Sequence, residues 1–199
     1  TDDDGAIAAR LDEEPVRASL ARARASADVV VASVHWSRDF LDAARTEERD
    51  HARRLVEAGA DVILGTGPHV LHGVERLESP RGQALVAYSL GNVVSGMGRT
   101  YRVGHRPEGF IHPANVTPEA RDGVVLRIRA RVVGTEVRIE SLTAEPLFTE
   151  NNWLAHRAGG DPHRVRVVRL GEVTDPELRA ERLTRIAEAL GPEVSPSSP

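Results

Sequence analysis

The stretch GADVILGTGPHV, residues 59–70, decides the fold class of this chain. Its centre, ADVILG, is a short apolar run between turn-forming residues, which is typical of a strand buried on both faces of a parallel sheet. The segment before it, residues 46–58, has apolar side chains at helical spacing and predicts a helix that ends at Gly59. Upstream, residues 12–26 predict a helix, and DVVVASV, residues 28–34, predicts a second buried strand. The order helix, strand, helix, strand predicts an α/β sandwich.

The pattern changes after residue 70 to short strands separated by polar segments. VERLE and QALVAYS predict two strands joined by the turn SPRG, residues 79–82, and residues 95–122 predict a long loop or lid. Two alternating segments, GVVLRIRARV and EVRIESLTA, predict an antiparallel hairpin around Gly134. A strand over residues 164–170 and a helix over residues 176–190 are predicted to follow.

Composition excludes several classes of protein. The net charge of −4 gives no basic surface for a nucleic acid, and all 26 basic residues are arginine. Without cysteine, the chain has no disulfide, thiolate nucleophile or cysteine-based zinc site. No apolar run approaches the roughly 18 residues needed to span a membrane. The chain starts TDDDGAIAAR, without a methionine, so we expect it to begin after a removed signal or partway into a longer protein.

Histidines follow both predicted buried strands. His35 comes directly after the strand of residues 28–34, and His69 follows the strand ADVILG. Because ligands of open α/β sheets lie at the carboxyl ends of strands, we expect both side chains to converge on one crevice. Imidazole is a ligand for Zn, Mn or Fe and also serves as a general acid or base. The alternative is a pair of hydrogen-bonded histidines with a structural role.

Other residues carry weaker signals. Asn92, in the turn YSLGN, suits a metal, a substrate oxygen or its own backbone, and the turn role is favoured. His72 is expected at the surface of a loop, and Trp36 is expected to pack beside the site. Four residues of the predicted lid would line a channel for an anionic substrate: Arg99, Tyr101, Arg102 and Arg106. A solvated loop is the favoured alternative for them.

Three segments in order resemble the C-terminal half of the CapA family: HWSRDF, the block AARTEERDHARRLVEAGADVILGTGPHVLHGVE, and LVAYSLGN. That family is named for poly-γ-glutamate capsule biosynthesis and has a calcineurin-like metallophosphoesterase fold. The resemblance spans residues 28–94 and implies a layered α/β sandwich of the metallophosphoesterase type, with its N-terminal half absent. Residues 1–150 would form the C-terminal half of the CapA-like domain, residues 151–190 its closing strand and helix, and residues 191–199 a disordered tail.

The resemblance also implies roles for individual residues. His35 and His69 match metal-site positions of the family and would be the catalytic residues of an enzyme. Glu75 matches a glutamate after the second of these loops and would orient a histidine ligand. Asn92 matches the asparagine of the SLGN turn, for which we expect a place at the edge of the site.

Departures from the family pattern weaken the expected metal site. Gly67 stands where the family has a histidine, and the neighbouring Thr66 is a poor substitute. The family's G-D, N-L-E and N-H elements, which supply its other ligands, do not occur in order here. His35 and His69 alone give two neutral ligands, fewer than the three protein ligands usual for a catalytic zinc site. We therefore expect a divalent metal, Mn, Fe or Zn, to bind weakly or not at all.

The function implied by the resemblance is the synthesis, export or anchoring of a poly-γ-glutamate-type capsule or envelope polymer. The implied enzyme is a metal-dependent hydrolase acting on an anionic polymer or a phosphoester, and other capsule-synthesis proteins are the implied partners. The resemblance places such a protein in the cell envelope or outside the cytoplasm. One alternative is a non-catalytic polymer-binding or assembly module with a degenerate metal site. Another is a fragment with an exposed apolar edge at residues 28–34.

Overall fold

The structure is a computed structural model that describes residues 14–101 and 113–196. The described helices are α1 (Glu14–Ser26), α2 (Thr46–Glu57), α3 (Pro113–Val116), α4 (Trp153–Arg157) and α5 (Pro176–Leu190). The described strands are β1 (Val31–His35), β2 (Val62–Thr66), β3 (Leu71–Ser79), β4 (Gly82–Leu90), β5 (Asp122–Val133), β6 (Glu136–Asn151), β7 (Val165–Arg169) and β8 (Ser195–Pro196). Short 3₁₀ turns at Pro118–Arg121 and Leu170–Glu172 lead into β5 and follow β7.

All eight described strands belong to one mixed sheet. Strands β1, β2 and β4 run parallel in that order, and β3 returns antiparallel to β4. Strands β5, β6 and β7 form an antiparallel part, which β8 joins by pairing with β6. Two pairs join these parts: Gly82 with Val137, between β4 and β6, and Gly91, directly after β4, with Gly123 of β5. The antiparallel part is therefore attached near both ends of β4.

Alternation along β4 shows how the layers pack. Leu85 and Ala87 belong to a core cluster that also contains side chains of β5, β6, β7 and α5. Val86 and Tyr88 point to the opposite face and pack with α1, α2 and β1. Each buried Leu or Val side chain stabilises the fold by about 1.5–3 kcal/mol, so a strand that is apolar on both faces belongs at the centre. The predicted layered α/β fold is confirmed, and it is consistent with the metallophosphoesterase type.

A buried carboxylate ties together the amino ends of the parallel strands. Asp61 is 2% exposed, and its Oδ2 accepts a hydrogen bond from Val30 N at 2.7 Å. The same carboxylate pairs with Arg24 of α1 and with Arg81 of the β3–β4 turn. Arg81 Nε also donates to Thr135 O, in the β5–β6 turn, at 2.7 Å. One acidic side chain therefore connects three turns at the end of the sheet opposite His35.

The structure corrects the predicted end of the chain. A disordered tail was expected from residue 191, but Val194 is buried in the core and Ser195–Pro196 pairs with β6. Val194 belongs to the apolar cluster that contains α5, so burial holds this segment against the domain. The predicted helix over residues 176–190 is confirmed as α5, which Asp175 caps by accepting from Glu177 N and Leu178 N.

The edge strand β1 has one neighbour among the described strands, β2. Val31 of this strand is 55% exposed, which is the exposed apolar edge that the fragment interpretation expected. That interpretation itself stays a prediction. Within the described ranges, no helix is both long and apolar enough to cross a membrane. Arg102 and Arg106 of the predicted channel lie outside the described residues.

Candidate functional site

The predicted site residues lie at the carboxyl edge of the parallel strands. His35 ends β1 and is paired in register with Thr66, which ends β2. His69 lies in the loop that follows β2, and Asn92 directly follows the turn after β4. This is the edge at which open α/β sheets bind their ligands, because successive loops there surround one crevice.

Trp36 joins the ends of these strands. It is buried, its backbone N donates to Thr66 O at 2.9 Å, and its indole Nε1 donates to Tyr88 O at 2.8 Å. The indole passes over Gly65 of β2, where an added Cβ would lie 2.4 Å from Nε1. A glycine is therefore required at position 65. The hydrogen bonds of Trp36 fix the position of the neighbouring His35 at the end of β1.

Hydrogen bonds determine which nitrogen of His35 is available. Thr66 Oγ1 donates its single proton to Val34 O at 3.1 Å, so this oxygen can only accept from His35 Nδ1, at a long 3.4 Å. In the neutral imidazole the lone pair is then on Nε2. The His35 side chain is exposed, so this lone pair is open to a ligand. Thr66 lies beside His35 and orients its ring.

Hydrogen bonds also fix the ring orientation of His69. Asn92 Nδ2 donates to two carbonyl oxygens, of His69 at 3.1 Å and of Ala120 at 2.9 Å, which fixes the orientation of the amide. Asn92 Oδ1 therefore accepts from His69 Nδ1 at 3.0 Å. In the neutral ring Nε2 again carries the lone pair, and it has no hydrogen-bond partner among the described residues. A hydrogen bond on the second ring nitrogen is the usual way in which proteins orient a histidine ligand.

His69 also has an unusual backbone conformation. Its φ is +62°, in the left-handed region that residues with a side chain rarely adopt. Asn92 holds both the ring and the carbonyl of His69, and the ring of Phe40 lies 5.9 Å away between centroids. Strain of this kind persists only where the surroundings over-determine it, which is common at binding and catalytic sites.

Gly67 occupies a space that no side chain can share. Its φ is +108°, and an added Cβ would lie 2.3 Å from Trp36 O and 3.2 Å from His35 Nε2. A histidine at this position would require the Trp36 backbone to move. The absent side chain of Gly67 leaves the face of His35 Nε2 open.

Comparison with known proteins finds a family similarity in the first half of the chain. Residues 2–97, a little under half of the chain, match the family model described as bacterial capsule synthesis protein PGA_cap. Over this segment, the chain is similar to members of the PGA_cap family. The match begins well before the segments in which the resemblance was seen, and the predicted restriction to the C-terminal half of the family domain stays a prediction.

Two curated relatives carry the CapA name. The PGA biosynthesis protein CapA of Bacillus subtilis (strain 168) is 36% identical over 81 residues, which cover 41% of this chain and 20% of the relative. The capsule biosynthesis protein CapA of Bacillus anthracis is 35% identical over 77 residues, 39% of this chain and 18% of the relative. The chain thus spans about a fifth of the length of these relatives.

Glu75, expected to orient a histidine ligand in this PGA_cap segment, lies in β3 with other partners. Its Oε1 accepts from Tyr88 Oη at 2.5 Å, and its Oε2 accepts from Arg49 Nη1 at 2.9 Å. The Arg49 guanidinium also lies 5.0 Å from the centroid of the Tyr88 ring. Burial, with the neighbouring carboxylate, raises the pKa of Tyr88. Glu75 therefore holds α2 against the sheet. It forms no hydrogen bond with a histidine among the described residues, and the predicted role of orienting a histidine ligand stays a prediction.

The prediction of a surface position for His72 is wrong. His72 lies in β3 and is 1% exposed, because residues 71–79 continue as a strand beside β4. Its Nε2 donates to Leu41 O at 2.7 Å, which leaves Nδ1 buried and without a partner among the described residues. Burial lowers the pKa of His72. This histidine is a neutral core residue.

The donors at this edge fit a metal only in part. His35 and His69 present imidazole nitrogens, the ligand type that suits Zn, Mn or Fe. In the part of the chain that the structure describes, however, no group of three or more His, Cys, Asp or Glu side chains could hold a metal ion. A catalytic zinc site takes three protein ligands, so we derive no catalytic step through a metal from these residues.

Sequence reasoning missed Asp122, which supports the Asn92 turn. Its backbone O accepts from Asn92 N at 3.0 Å, and its buried carboxylate pairs with Arg182 of α5 at 3.2 Å. Burial raises the pKa of Asp122 to about 7, against the opposing effect of Arg182. An aspartate before a strand is typical of a turn, so no local signal marked it.

Proposed function

We propose that this chain acts in the biosynthesis of a poly-γ-glutamate-type capsule or envelope polymer, through the edge of the sheet that carries His35 and His69. The family of residues 2–97 and the names of the two relatives, PGA biosynthesis protein and capsule biosynthesis protein, support the proposal. The whole relatives are about five times longer than the matched segment, so this segment would supply one part of the activity.

The observation that carries the proposal is the fixed ring of His69. Asn92 holds Nδ1–H, the backbone is in a strained conformation, and Nε2 presents a lone pair at the ligand-binding edge. Such a nitrogen can bind a divalent metal or take a proton from a nucleophile. Strained backbone conformations cluster at binding and catalytic sites, which supports a role for this nitrogen in ligand binding.

In the catalytic version of the proposal, His35 and His69 are two ligands of a metal-dependent hydrolase. A bound metal would supply an activated water and neutralise charge on a phosphoester or polymer substrate. The remaining ligands would come from outside the described residues. Within this chain, Thr66 and Asn92 orient the two imidazoles, and Trp36 with Gly65 sets the position of the strand end that carries His35.

The second candidate is a non-catalytic module that binds the polymer or assembles other capsule-synthesis proteins. Gly67 favours this version, since the position at which the family has a histidine is packed against Trp36 O. In this version Nε2 of each histidine accepts a hydrogen bond from a donor group of the polymer, such as an amide N–H, without a metal.

The test compares histidine variants of the full-length protein in its own host. His35→Ala, His69→Ala and the double variant are measured for polymer yield, with His51→Ala on helix α2 as the matched control. Loss of polymer in the first three with a normal level in the control supports the site. Normal polymer in the double variant, when deletion of the gene abolishes it, overturns the site and leaves only assembly.

A second measurement separates the two versions. Purified protein is analysed for bound Mn, Fe and Zn and assayed with a chromogenic phosphodiester in the presence of each metal. Stoichiometric metal and turnover that disappear in His69→Ala support the hydrolase. Substoichiometric metal together with no turnover rejects the hydrolase in favour of the binding module.

A further inference from the structure

A polar cavity lies outside residues 2–97, the segment that matches the family model. It has a volume of about 470 Å³ and is bounded by the end of β6, the start of β7 and the segment that leads into α5. Its charged lining residues are Arg121, Glu150, Arg164, Arg166 and Asp175. All of them follow residue 97, so neither the family match nor the strand-end histidines account for this cavity.

The charges of the lining do not balance. Arg166 binds Glu150 Oε2 through Nε at 3.0 Å and Nη2 at 2.8 Å, so these two charges neutralise each other. Asp175 Oδ1 accepts from the first turn of α5, at 3.0 and 3.1 Å, and is compensated by the helix N-terminus. Arg121 and Arg164 form no ion pair with any residue of the described ranges. The guanidinium groups of Arg121 and Arg164 therefore line the cavity without an ion-pair partner among the described residues, since Glu150 and Asp175 are compensated by other groups.

Arg121 is held in place before any ligand arrives. Its Nε donates to Thr149 O at 2.8 Å, and its guanidinium lies 4.6 Å from the centroid of the Phe148 ring. The two Nη atoms have no hydrogen-bond acceptor among the described residues. Burial lowers the pKa of Arg121, because removing a cation from water costs free energy that no neighbour fully offsets.

Two asparagines, Asn151 and Asn152, also line the cavity. Asn151 Oδ1 accepts from Trp153 N at 2.9 Å and contacts His163 Nε2 at 3.1 Å, so the amide orientation is fixed by the backbone donor. Asn151 Nδ2 is then a buried donor without an acceptor among the described residues. Asn152 Oδ1 accepts from Arg164 N at 2.6 Å, which positions the residue whose side chain is unpaired.

We propose that this cavity is an oxyanion-binding site, in which Arg121 and Arg164 bind a carboxylate or phosphate group. The planar guanidinium fork matches both groups, and charge-assisted hydrogen bonds of this kind are about twice as strong as neutral ones. The proposal does not depend on the histidine edge. It gives the chain a second contact with anionic molecules, on the antiparallel part of the sheet.

The test uses the purified full-length protein and two probes, inorganic phosphate and glutarate. Each is titrated by calorimetry against chloride at equal ionic strength, and circular dichroism confirms that every variant is folded. Arg164→Gln is the main variant, because this exposed side chain forms no hydrogen bond or ion pair with the described residues. Arg129→Gln is the matched control, an exposed arginine of β5 that has no carboxylate partner in the described ranges. Arg121→Lys keeps the charge but removes the fork.

We expect saturable binding that weakens about tenfold or more in Arg164→Gln, as for loss of a hydrogen bond between charged groups. Arg121→Lys should weaken binding as well, and Arg129→Gln should bind like the unmodified protein. Binding of phosphate alone or of glutarate alone supports the site and identifies the source of the oxyanion. Absence of saturable binding by both probes, or equal weakening in Arg129→Gln and Arg164→Gln, overturns the proposal. The polymer-yield assay of the histidine variants does not depend on Arg121 or Arg164, so failure of the oxyanion site leaves the proposed function untouched.

Discussion

Replacing Gly65 by alanine tests how the strand end that carries His35 is held. An added Cβ at this position would lie 2.1 Å from Tyr88 O and 2.4 Å from Trp36 Nε1. These are the acceptor and the donor of the buried hydrogen bond that joins the ends of β1 and β4. Both distances are far below van der Waals contact, and the nearest atoms are backbone and a packed indole. The methyl group can enter only if that hydrogen bond breaks.

The magnitude follows from two costs. A buried donor and acceptor that lose each other cost about 1–3 kcal/mol, because neither regains water. Forcing an extra methyl group into a packed core costs about 1–3 kcal/mol more. The free energy of unfolding should therefore fall by roughly 2–6 kcal/mol, a large part of the 5–15 kcal/mol typical of a domain.

Urea unfolding followed by circular dichroism measures this loss, and Gly73→Ala is the matched control. Gly73 lies in β3, where the nearest atom to an added Cβ is Ala189 O at 3.7 Å, an ordinary contact. We expect the control to change stability by less than about 1 kcal/mol. If Gly65→Ala is as stable as the control, the indole does not lock the strand ends and the account of how His35 is positioned fails.

Four further predictions concern single polar groups. Asn92→Ala should cost about 1–3 kcal/mol and release His69 to populate both tautomers, which the ring ¹⁵N shifts would detect; an unchanged Nδ1–H tautomer would contradict the assigned role. Asp61→Asn should destabilise the fold by about 1–3 kcal/mol in thermal unfolding, which is less than for a fully buried ion pair because both arginine partners are partly exposed. A loss of stability that persists at high salt supports burial of the carboxylate. Because burial lowers the pKa of His72 below its ordinary 6.5, the stability it contributes is present above about pH 6.5 and is lost as the pH falls, and His72→Gln should remove this loss. The pKa of Asp122 is raised to about 7, so the folded state holds this proton more tightly and stability should rise as the pH falls from about 7 toward 4, a rise that Asp122→Asn should abolish.

Much of the fold was predictable because its signals are local. The last helix was predicted over residues 176–190 and observed as Pro176–Leu190, since its apolar spacing, Pro176 and Gly191 mark both ends. The hairpin around Gly134 was predicted from alternation and observed as β5 and β6, although β6 continues to Asn151. Strands β1 and β2 were both predicted from runs that are apolar at successive positions. The predicted burial holds for β2 and is wrong for β1, an edge strand in which only Val34 is buried.

The candidate site was predictable in outline and not in its contacts. The order of strands placed His35 and His69 at one edge, because parallel strands end on the same side. The open Nε2 of each ring depends on Thr66 and Asn92, whose partners are fixed only by the folded backbone. His72 was predicted to lie on a surface loop, but it is buried because its segment pairs with β4 as a strand.

The sequence by itself determined the α/β class, the order of most elements and the similarity to the PGA_cap family, because residues 59–92 hold their periodicity and motif in one continuous stretch. Only the tertiary structure decided which groups meet. It packed Gly67 against Trp36, directed Glu75 to Tyr88, and left Arg121 and Arg164 at a cavity without an ion-pair partner among the described residues. The physical reason is that hydrogen bonding and desolvation depend on neighbours distant in the chain, and no local pattern records those neighbours.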